Sequence, residues 1–307
     1  MGRTAHIKYY RENYPDDYLY YESLQDFQEE QCYPSQVKNK KVLFVFGDSW
    51  TNLRYLPHRK NDWCYLLKQF LGYDYVISVS NDSDSNYNIF DTIKRTLCGR
   101  DFPMRLQKNW RNGPSEFKVI IGWSTPLRDS TSVADMYSPY SISTIPNLRD
   151  VQENTRLFMK YTSEWLRPEV YSFDTQKRIL FLQEFFEYNK IDWYSFMAFT
   201  PLVENNFKDT PYDLRKWINP NRFFGLYDYP SNMQDYLISK VDSDYKKDAS
   251  ITEQQFYSKK QGFKFFDWDD LDRRKYWDKE DKMFTEDGHP AEMGVKLIYQ
   301  KLKELCS

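Results

Sequence analysis

The sequence predicts an α/β fold with a parallel, doubly wound sheet. Three predicted strands, the apolar run at 42–46 and the mainly apolar runs at 75–79 and 117–121, each end in turn residues or a polar loop, and the run at 42–46 is typical of a strand buried on both faces. Segments with helical periodicity separate these runs, and strands that alternate with helices are typical of a parallel sheet. The 307 residues suffice for one large α/β domain or two small ones.

The first predicted helix follows the strand at 41–46. Asn61 or Asp62 can cap its N-terminus, and Gly72 should end it. Its predicted buried face repeats at i, i+3, i+4 and i+7 and consists of Trp63, Leu66, Leu67 and Phe70. A second helix should follow the polar loop at 80–86 and turn inward Ile89, Ile93 and Leu97.

The second half of the chain should contain helices near 148–166 and 175–189, a strand at 191–199 and a terminal helix at 291–305. Between residues 200 and 286 the chain is irregular and rich in aromatic residues, with short helical pieces such as 211–218. No repeat and no linker is evident. We therefore expect one domain over 41–305, elaborated by this irregular part, and an N-terminal extension over 1–40 that packs on the domain or on a partner.

Composition excludes several classes of protein. A net charge of −2 and a pI of about 6.0 do not favour a nucleic-acid partner. No run of 18 apolar residues is present, and the N-terminus lacks the apolar middle of a signal peptide, so we expect no membrane span and synthesis in the cytosol. The cysteines are scattered, which predicts reduced thiols at Cys32, Cys64, Cys98 and Cys306.

Three residues can supply catalysis by a serine nucleophile. Ser49 directly follows a buried strand and the turn residues Gly47 and Asp48, and open α/β sheets bind ligands beyond the carboxyl ends of their strands. A serine needs a base to take its proton, and His289 lies in a Gly/Pro-shaped loop two residues after Asp287, a carboxylate that can orient it. The sequence thus predicts the triad Ser49, His289 and Asp287. The alternative is that Gly-Asp-Ser forms only a turn.

The chain resembles the SGNH, or GDSL-type, hydrolase superfamily, and especially the divergent SGNH-like proteins encoded by tailed phages. Three blocks carry the resemblance in order: Gly47-Asp48-Ser49-Trp50, Ile121-Gly122-Trp123-Ser124 and Asp287-Gly288-His289-Pro290. The resemblance implies a flavodoxin-like three-layer α/β/α sandwich. It also implies a serine esterase that acts on a small acyl ester, such as an O-acetyl group on a polysaccharide, without cofactor or metal.

The resemblance further implies an oxyanion hole, and here the sequence departs from the family. The backbone N–H of Ser49 should be one donor. The family's second-block glycine falls within the loop at 80–86, where Ser83 aligns best and can still donate its N–H. The family's third-block asparagine is replaced by Ser124, whose hydroxyl can donate one hydrogen bond but has a shorter reach.

Several assignments stay open. Glu286 stands at the family's usual spacing for the acid, whereas Asp287 has the spacing of SGNH-like polysaccharide acetyltransferases. An O-acyltransferase would use the same residues. From a different class, the chain could be a non-catalytic binding or structural protein of a virion, with virion or homo-oligomer contacts through residues 1–40.

Two other patterns have competing interpretations. Asp82, Asp84 and Asn86 have calcium-loop spacing, but Tyr87 and Ile93 stand where that loop needs Gly and Glu, so no metal is expected. Aromatic residues between 193 and 278 either stack on sugar rings or replace aliphatic residues in packing. They are Trp193, Tyr194, Trp217, Phe223, Phe224, Tyr227, Tyr229, Trp268, Tyr276 and Trp277.

Overall fold

The computed structural model describes residues 15–21, 37–51, 59–80, 85–98, 114–126, 168–198, 201–203, 209–241, 283–284 and 289–307. In chain order they form strands β1 (Tyr18–Tyr21) and β2 (Lys41–Gly47), helix α1 (Trp63–Leu71), strand β3 (Tyr75–Ser80), helix α2 (Asn86–Cys98), strand β4 (Glu116–Trp123), helix α3 (Pro168–Asn189), strands β5 (Asp192–Met197) and β6 (Phe223–Phe224), and helices α4 (Met233–Val241) and α5 (Glu292–Cys306).

The strands form one six-stranded sheet in the order β1-β3-β2-β4-β5-β6, and every neighbouring pair is parallel. The prediction of a parallel α/β sheet is confirmed. Apart from β1, the strand order is that of flavodoxin-like folds. The chain passes from β2 to β3 on one side and then crosses to β4 on the other, so the strand order reverses between β2 and β4.

Helices cover both faces of the sheet because alternate residues of each strand point to opposite sides. One face, with Leu43, Val45 and Ile120, packs against α1, α4 and α5. The other face, with Val42, Phe44 and Phe46, packs against α2 and α3. All six of these strand residues are fully buried. The architecture is therefore the three-layer sandwich that the resemblance implies.

Helix α1 begins and ends where its capping residues predict. The Asp62 carboxylate accepts the backbone N–H of Cys64 at 2.9 Å, which satisfies one of the unpaired donors at the helix N-terminus. At the other end, Gly72 has a φ of 70°, the left-handed conformation that favours glycine after a helix. The two capping residues therefore predicted both ends of the helix correctly.

The predicted buried face of α1 is partly wrong. Its most buried apolar residues are Trp63, Cys64 and Leu67. Leu66 is only half-buried and Phe70 is 41% exposed. Lys68 instead lies in the buried face, where its ammonium pairs with Asp17 and lies 4.7 Å from the centre of the Tyr65 ring. The helix is rotated relative to the prediction because a paired lysine occupies an inward position.

Part of the N-terminal extension is a strand. Strand β1 pairs with β3 at the edge of the sheet, in a register that places Tyr18 beside Val76. The Tyr18 hydroxyl donates to the Asp62 carboxylate at 2.9 Å, and the Tyr20 hydroxyl donates to the Ser80 carbonyl oxygen at 3.1 Å. Strand β1 is too short to show a clear period of two, so the sequence pattern did not reveal it.

Helix α2, strand β5 and helix α5 agree with the predictions, whereas α3 begins at Pro168, seven residues earlier than predicted, and β6 and α4 lie in the part predicted to be irregular. Ile89, Ile93 and Leu97 of α2 are buried, and β5 and α5 lie at the expected places. Cys64 and Cys306 are buried free thiols, and burial raises the pKa of Cys306 to about 12. The helix predicted near 148–166 lies outside the described residues. Among the described helices, none combines the length and apolar character of a membrane span.

Candidate active site

Ser49 lies in a hydrogen-bonded turn directly beyond the carboxyl end of β2. The backbone N–H of Thr51 donates to the Asp48 carbonyl oxygen at 2.9 Å. The backbone N–H of Trp50 donates to the Asp48 carboxylate at 3.0 Å. Asp48 is fully buried and Ser49 is 5% exposed. The Asp48 side chain therefore shapes the turn, and Ser49 is the residue that this turn holds in place.

Two glycines make room for Thr51 between the ends of β2 and β4. A Cβ atom at Gly47 would lie 2.0 Å from the Thr51 hydroxyl oxygen and 2.8 Å from the Gly122 carbonyl oxygen. A Cβ atom at Gly122 would lie 2.7 Å from the same hydroxyl oxygen. The turn that carries Ser49 thus packs directly against the end of β4, and side chains at either glycine would force the two apart.

Ser124 follows β4 and is fully buried. Its carbonyl oxygen accepts a hydrogen bond from the Asn86 side-chain amide at 3.2 Å, and the same amide lies 3.3 Å from the Thr175 hydroxyl on α3. Because β2 and β4 are neighbours, Ser49 and Ser124 both lie beyond the carboxyl ends of the strands where the strand order reverses. Doubly wound folds bind their ligands at this position.

Asn86 is a candidate positioning residue that sequence reasoning placed only in a calcium-like loop. The hydroxyl of Ser85 accepts the backbone N–H of Asn88 at 3.1 Å, so Ser85 caps α2 and the Asn86 side chain is not needed there. Asn86 is fully buried, and within the described part of the chain its carbonyl oxygen Oδ1 has no hydrogen-bond partner. It joins the loop after β4 to α2 and α3.

The segment that carries His289 contacts the Ser49 turn through aromatic packing. Phe284 and Pro290 form an antiparallel bridge, and the Trp50 and Phe284 ring centres are 6.1 Å apart. Trp50 directly follows Ser49, and Pro290 directly follows the half-buried His289. The fold therefore brings the first and third sequence blocks to the same place, although more than two hundred residues separate them.

Three predicted site residues, Ser83, Glu286 and Asp287, lie outside the described residues. The acid of the triad and the second oxyanion donor therefore stay predictions. Asp82 and Asp84 also lie outside the described part of the chain. Among the described residues, no group of three His, Cys, Asp or Glu side chains is placed to hold a metal ion.

The aromatic residues between 193 and 278 divide into buried and exposed ones where the structure describes them. Trp193, Tyr194, Phe223 and Phe224 belong to strands and are at most 9% exposed, which agrees with packing. Trp217, Tyr227 and Tyr229 are 63%, 46% and 44% exposed, so packing does not account for these three rings. Trp268, Tyr276 and Trp277 lie outside the described residues.

No protein-family model and no curated protein matches the chain. An acetyl xylan esterase structure is similar, with 10% identity and a TM-score of 0.33 over 86% of this chain and 98% of its own. A GDSL-like lipase from Bacteroides thetaiotaomicron has 13% identity and a TM-score of 0.34 over 92% and 95%. A lipolytic protein of the G-D-S-L family from Veillonella parvula has 14% identity and a TM-score of 0.29 over 86% and 97%.

Proposed function

We propose that the protein is a serine ester hydrolase of the SGNH type that removes a small acyl group, in particular an O-acetyl group from a polysaccharide. The position of Ser49 carries the proposal. A turn fixed by buried hydrogen bonds holds Ser49 where the strand order reverses, beyond the carboxyl end of β2 and next to β4, which leads to Ser124. Trp50 of the same turn packs against Phe284, which bridges to Pro290 beside His289. A nucleophile needs a fixed position of this kind at the edge of the sheet where such folds bind their ligands.

In the proposed reaction, the Ser49 hydroxyl oxygen attacks the ester carbonyl carbon while His289 takes the hydroxyl proton. The tetrahedral intermediate collapses, and the leaving alcohol takes that proton from the imidazolium. Water then attacks the acyl-enzyme, His289 accepts a proton from the water, and Ser49 recovers a proton as the carboxylic acid leaves. Asp287, or Glu286 at the family's usual spacing, orients the imidazole and stabilises its charged form.

Three groups would stabilise the oxyanion of the tetrahedral intermediate. They are the backbone N–H of Ser49, an N–H of the loop near Ser83, and the hydroxyl of Ser124. The hydrogen bond from Asn86 to the Ser124 carbonyl oxygen supports this role, because it fixes the peptide that carries the hydroxyl. Preorganised donors of this kind act most strongly on charge that develops in the transition state.

Covalent labelling tests the proposed nucleophile. We expect the protein to hydrolyse p-nitrophenyl acetate and a fluorophosphonate to modify Ser49 stoichiometrically, because an activated serine reacts with such reagents. Peptide mass spectrometry identifies the modified residue. Transfer of the acyl group to an added sugar in preference to water would indicate an O-acyltransferase. Stable assembly with other chains, without turnover or labelling, would contradict the enzyme and favour the structural alternative.

Replacing Ser124 with alanine tests the altered oxyanion hole. We expect kcat for an aryl acetate to fall by about 10²–10³, because one oxyanion donor is lost. KM should change little, since this hydrogen bond strengthens only as charge develops. Ser195→Ala is the matched control, because it removes another buried serine hydroxyl, on β5. An unchanged kcat in a folded Ser124→Ala protein would remove Ser124 from the oxyanion site.

A further inference from the structure

Helix α1 holds the turn that carries Ser49 from a second side. Besides the hydrogen bonds within the turn, the first two residues of α1 bind its carbonyl oxygens. The Trp63 indole N–H donates to the Trp50 carbonyl oxygen at 3.2 Å. The Cys64 thiol donates to the Thr51 carbonyl oxygen at 3.8 Å. The carbonyl groups of both residues that follow the candidate nucleophile are therefore tied to the start of α1.

The Cys64 thiol is suited to this contact because it stays protonated. Cys64 is fully buried, and burial, together with the charge of the nearby Asp62 carboxylate, raises the pKa of the thiol well above its ordinary value of 9.0. A thiol is a weak hydrogen-bond donor, whereas a thiolate has no proton to donate. The contact between α1 and the turn therefore persists at neutral and mildly alkaline pH.

A hydroxyl of the N-terminal extension fixes the start of α1. Asp62 caps α1 with one carboxylate oxygen, and its other carboxylate oxygen accepts the Tyr18 hydroxyl of strand β1 at 2.9 Å. Asp62 is fully buried and Tyr18 is 4% exposed. A buried carboxylate depends on its hydrogen-bond donors, because solvent cannot replace them. The Tyr18 hydroxyl therefore helps to set the position of the residues that hold the Ser49 turn.

Strand β1 is itself firmly placed, so it can transmit this constraint. It pairs with β3, and the Val76 backbone N–H donates to the Asp17 carbonyl oxygen at 3.0 Å. The Asp17 carboxylate pairs with Lys68 of α1. The Tyr18 ring stacks on the ring of Tyr65, also of α1, with ring centres 6.4 Å apart. Strand β1 thus contacts α1 at two residues besides its N-cap.

We propose that Tyr18 is a positioning residue for the esterase reaction, which acts through Asp62 and the first turn of α1 to fix the turn that presents Ser49. The inference rests on the proposed esterase function. The role of Tyr18 is indirect, since its hydroxyl binds Asp62 and not the substrate. A small displacement of the Ser49 hydroxyl oxygen makes productive attack less frequent. Loss of the Tyr18 hydroxyl should therefore slow the chemical step and leave substrate binding unchanged.

Tyr18→Phe tests this role, because it removes the hydroxyl and keeps the ring. We expect kcat for p-nitrophenyl acetate and the rate of fluorophosphonate labelling of Ser49 each to fall by about tenfold, with KM little changed. Tyr73→Phe is the matched control. It removes a hydroxyl that donates to the Glu116 carboxylate at 3.2 Å, just beyond the other end of α1, and should leave both rates unchanged. Rates are measured well below the melting temperature of each variant, so that reduced stability alone does not lower them.

Trp63→Phe tests the last link of the same path, because it removes the indole N–H that binds Trp50. We expect a loss comparable to that of Tyr18→Phe, and this variant decides the question if Tyr18→Phe does not fold. The double variant should lose less than the product of the two single losses, since both substitutions act through the start of α1.

The outcomes separate this role from the esterase function. Wild-type rates in folded Tyr18→Phe, or in Trp63→Phe where Tyr18→Phe does not fold, would overturn the role of Tyr18 and leave the esterase intact. An equal loss in Tyr73→Phe, or fully multiplicative losses in the double variant, would also overturn it. A wild-type protein with neither turnover nor labelling would refute the esterase, and this role with it.

Discussion

Replacing Ser49 with alanine is expected to lower kcat for an aryl acetate by about 10⁶, and replacing His289 with alanine should cost about as much. Neither the nucleophile nor its base contributes once the other is gone. The double variant should therefore be no slower than either single variant. Additive losses would show that the two side chains act separately and would contradict the proposed pairing.

Steady-state kinetics on purified variants measure this effect, with thermal melts as the check on folding. Ser49 is held by hydrogen bonds to Asp48 from the neighbouring backbone, none of which uses the Ser49 side chain, so Ser49→Ala should retain the wild-type melting temperature. A folded Ser49→Ala protein that still hydrolyses the ester at the wild-type rate would refute the proposed nucleophile.

Replacing Arg215 with methionine is expected to reduce the free energy of unfolding by about 3–5 kcal/mol, because it leaves a buried carboxylate without its cation. The Arg215 and Asp213 side chains are only 7% and 10% exposed, so solvent cannot replace the lost ion pair. Urea denaturation measures the change. The double variant with Asp213→Asn should recover part of the loss, and failure to recover any would show that packing of the arginine stem, not charge, accounts for it.

Acid should abolish this difference between wild type and Arg215→Met. The hydrogen bonds from Arg215 lower the pKa of Asp213 below its ordinary value of 3.8. The stabilisation is therefore complete above that pH and is lost as pH falls through the lowered folded-state pKa, where Asp213 becomes neutral. We expect the unfolding free energies of the two proteins to converge there, and a difference that persists would contradict an electrostatic origin.

Sequence patterns predicted the elements that are determined by residues within the element itself. The apolar run of β2 and the inward positions of α2 follow from local periodicity, and a capping carboxylate and a glycine mark the ends of α1. The rotation of α1 could not be predicted, because Lys68 is buried only through Asp17, fifty-one residues away. Strand β1 was missed because only its partner β3 distinguishes it from loop.

The same limit applies to the site. Ser49 and Ser124 stand in recognisable blocks, so the sequence alone marks them as candidates, and the structure places both beyond the carboxyl ends of neighbouring strands. The role of Asn86 depends on Ser124 and on Thr175, which lies 89 positions further along the chain. The conformation of the backbone at 212–219 likewise depends on Gln176 and Gln183 of α3, which bind its carbonyl oxygens and N–H groups. A single sequence carries no signal for such pairings, because contacts between residues far apart in the chain leave no local periodicity or motif.

The unequal strand lengths determine how much unpaired backbone the two edges of the described sheet present. The four central strands have six to eight residues, whereas β1 has four and β6 has two. A long outer strand leaves unpaired N–H and C=O groups that can template aggregation with another chain. Here the four-residue strand β1 forms one edge of the sheet, and the two-residue strand β6 forms the other. The tyrosine-rich extension thus pairs with the backbone of β3, whose six residues would otherwise form a longer unpaired edge of the described sheet.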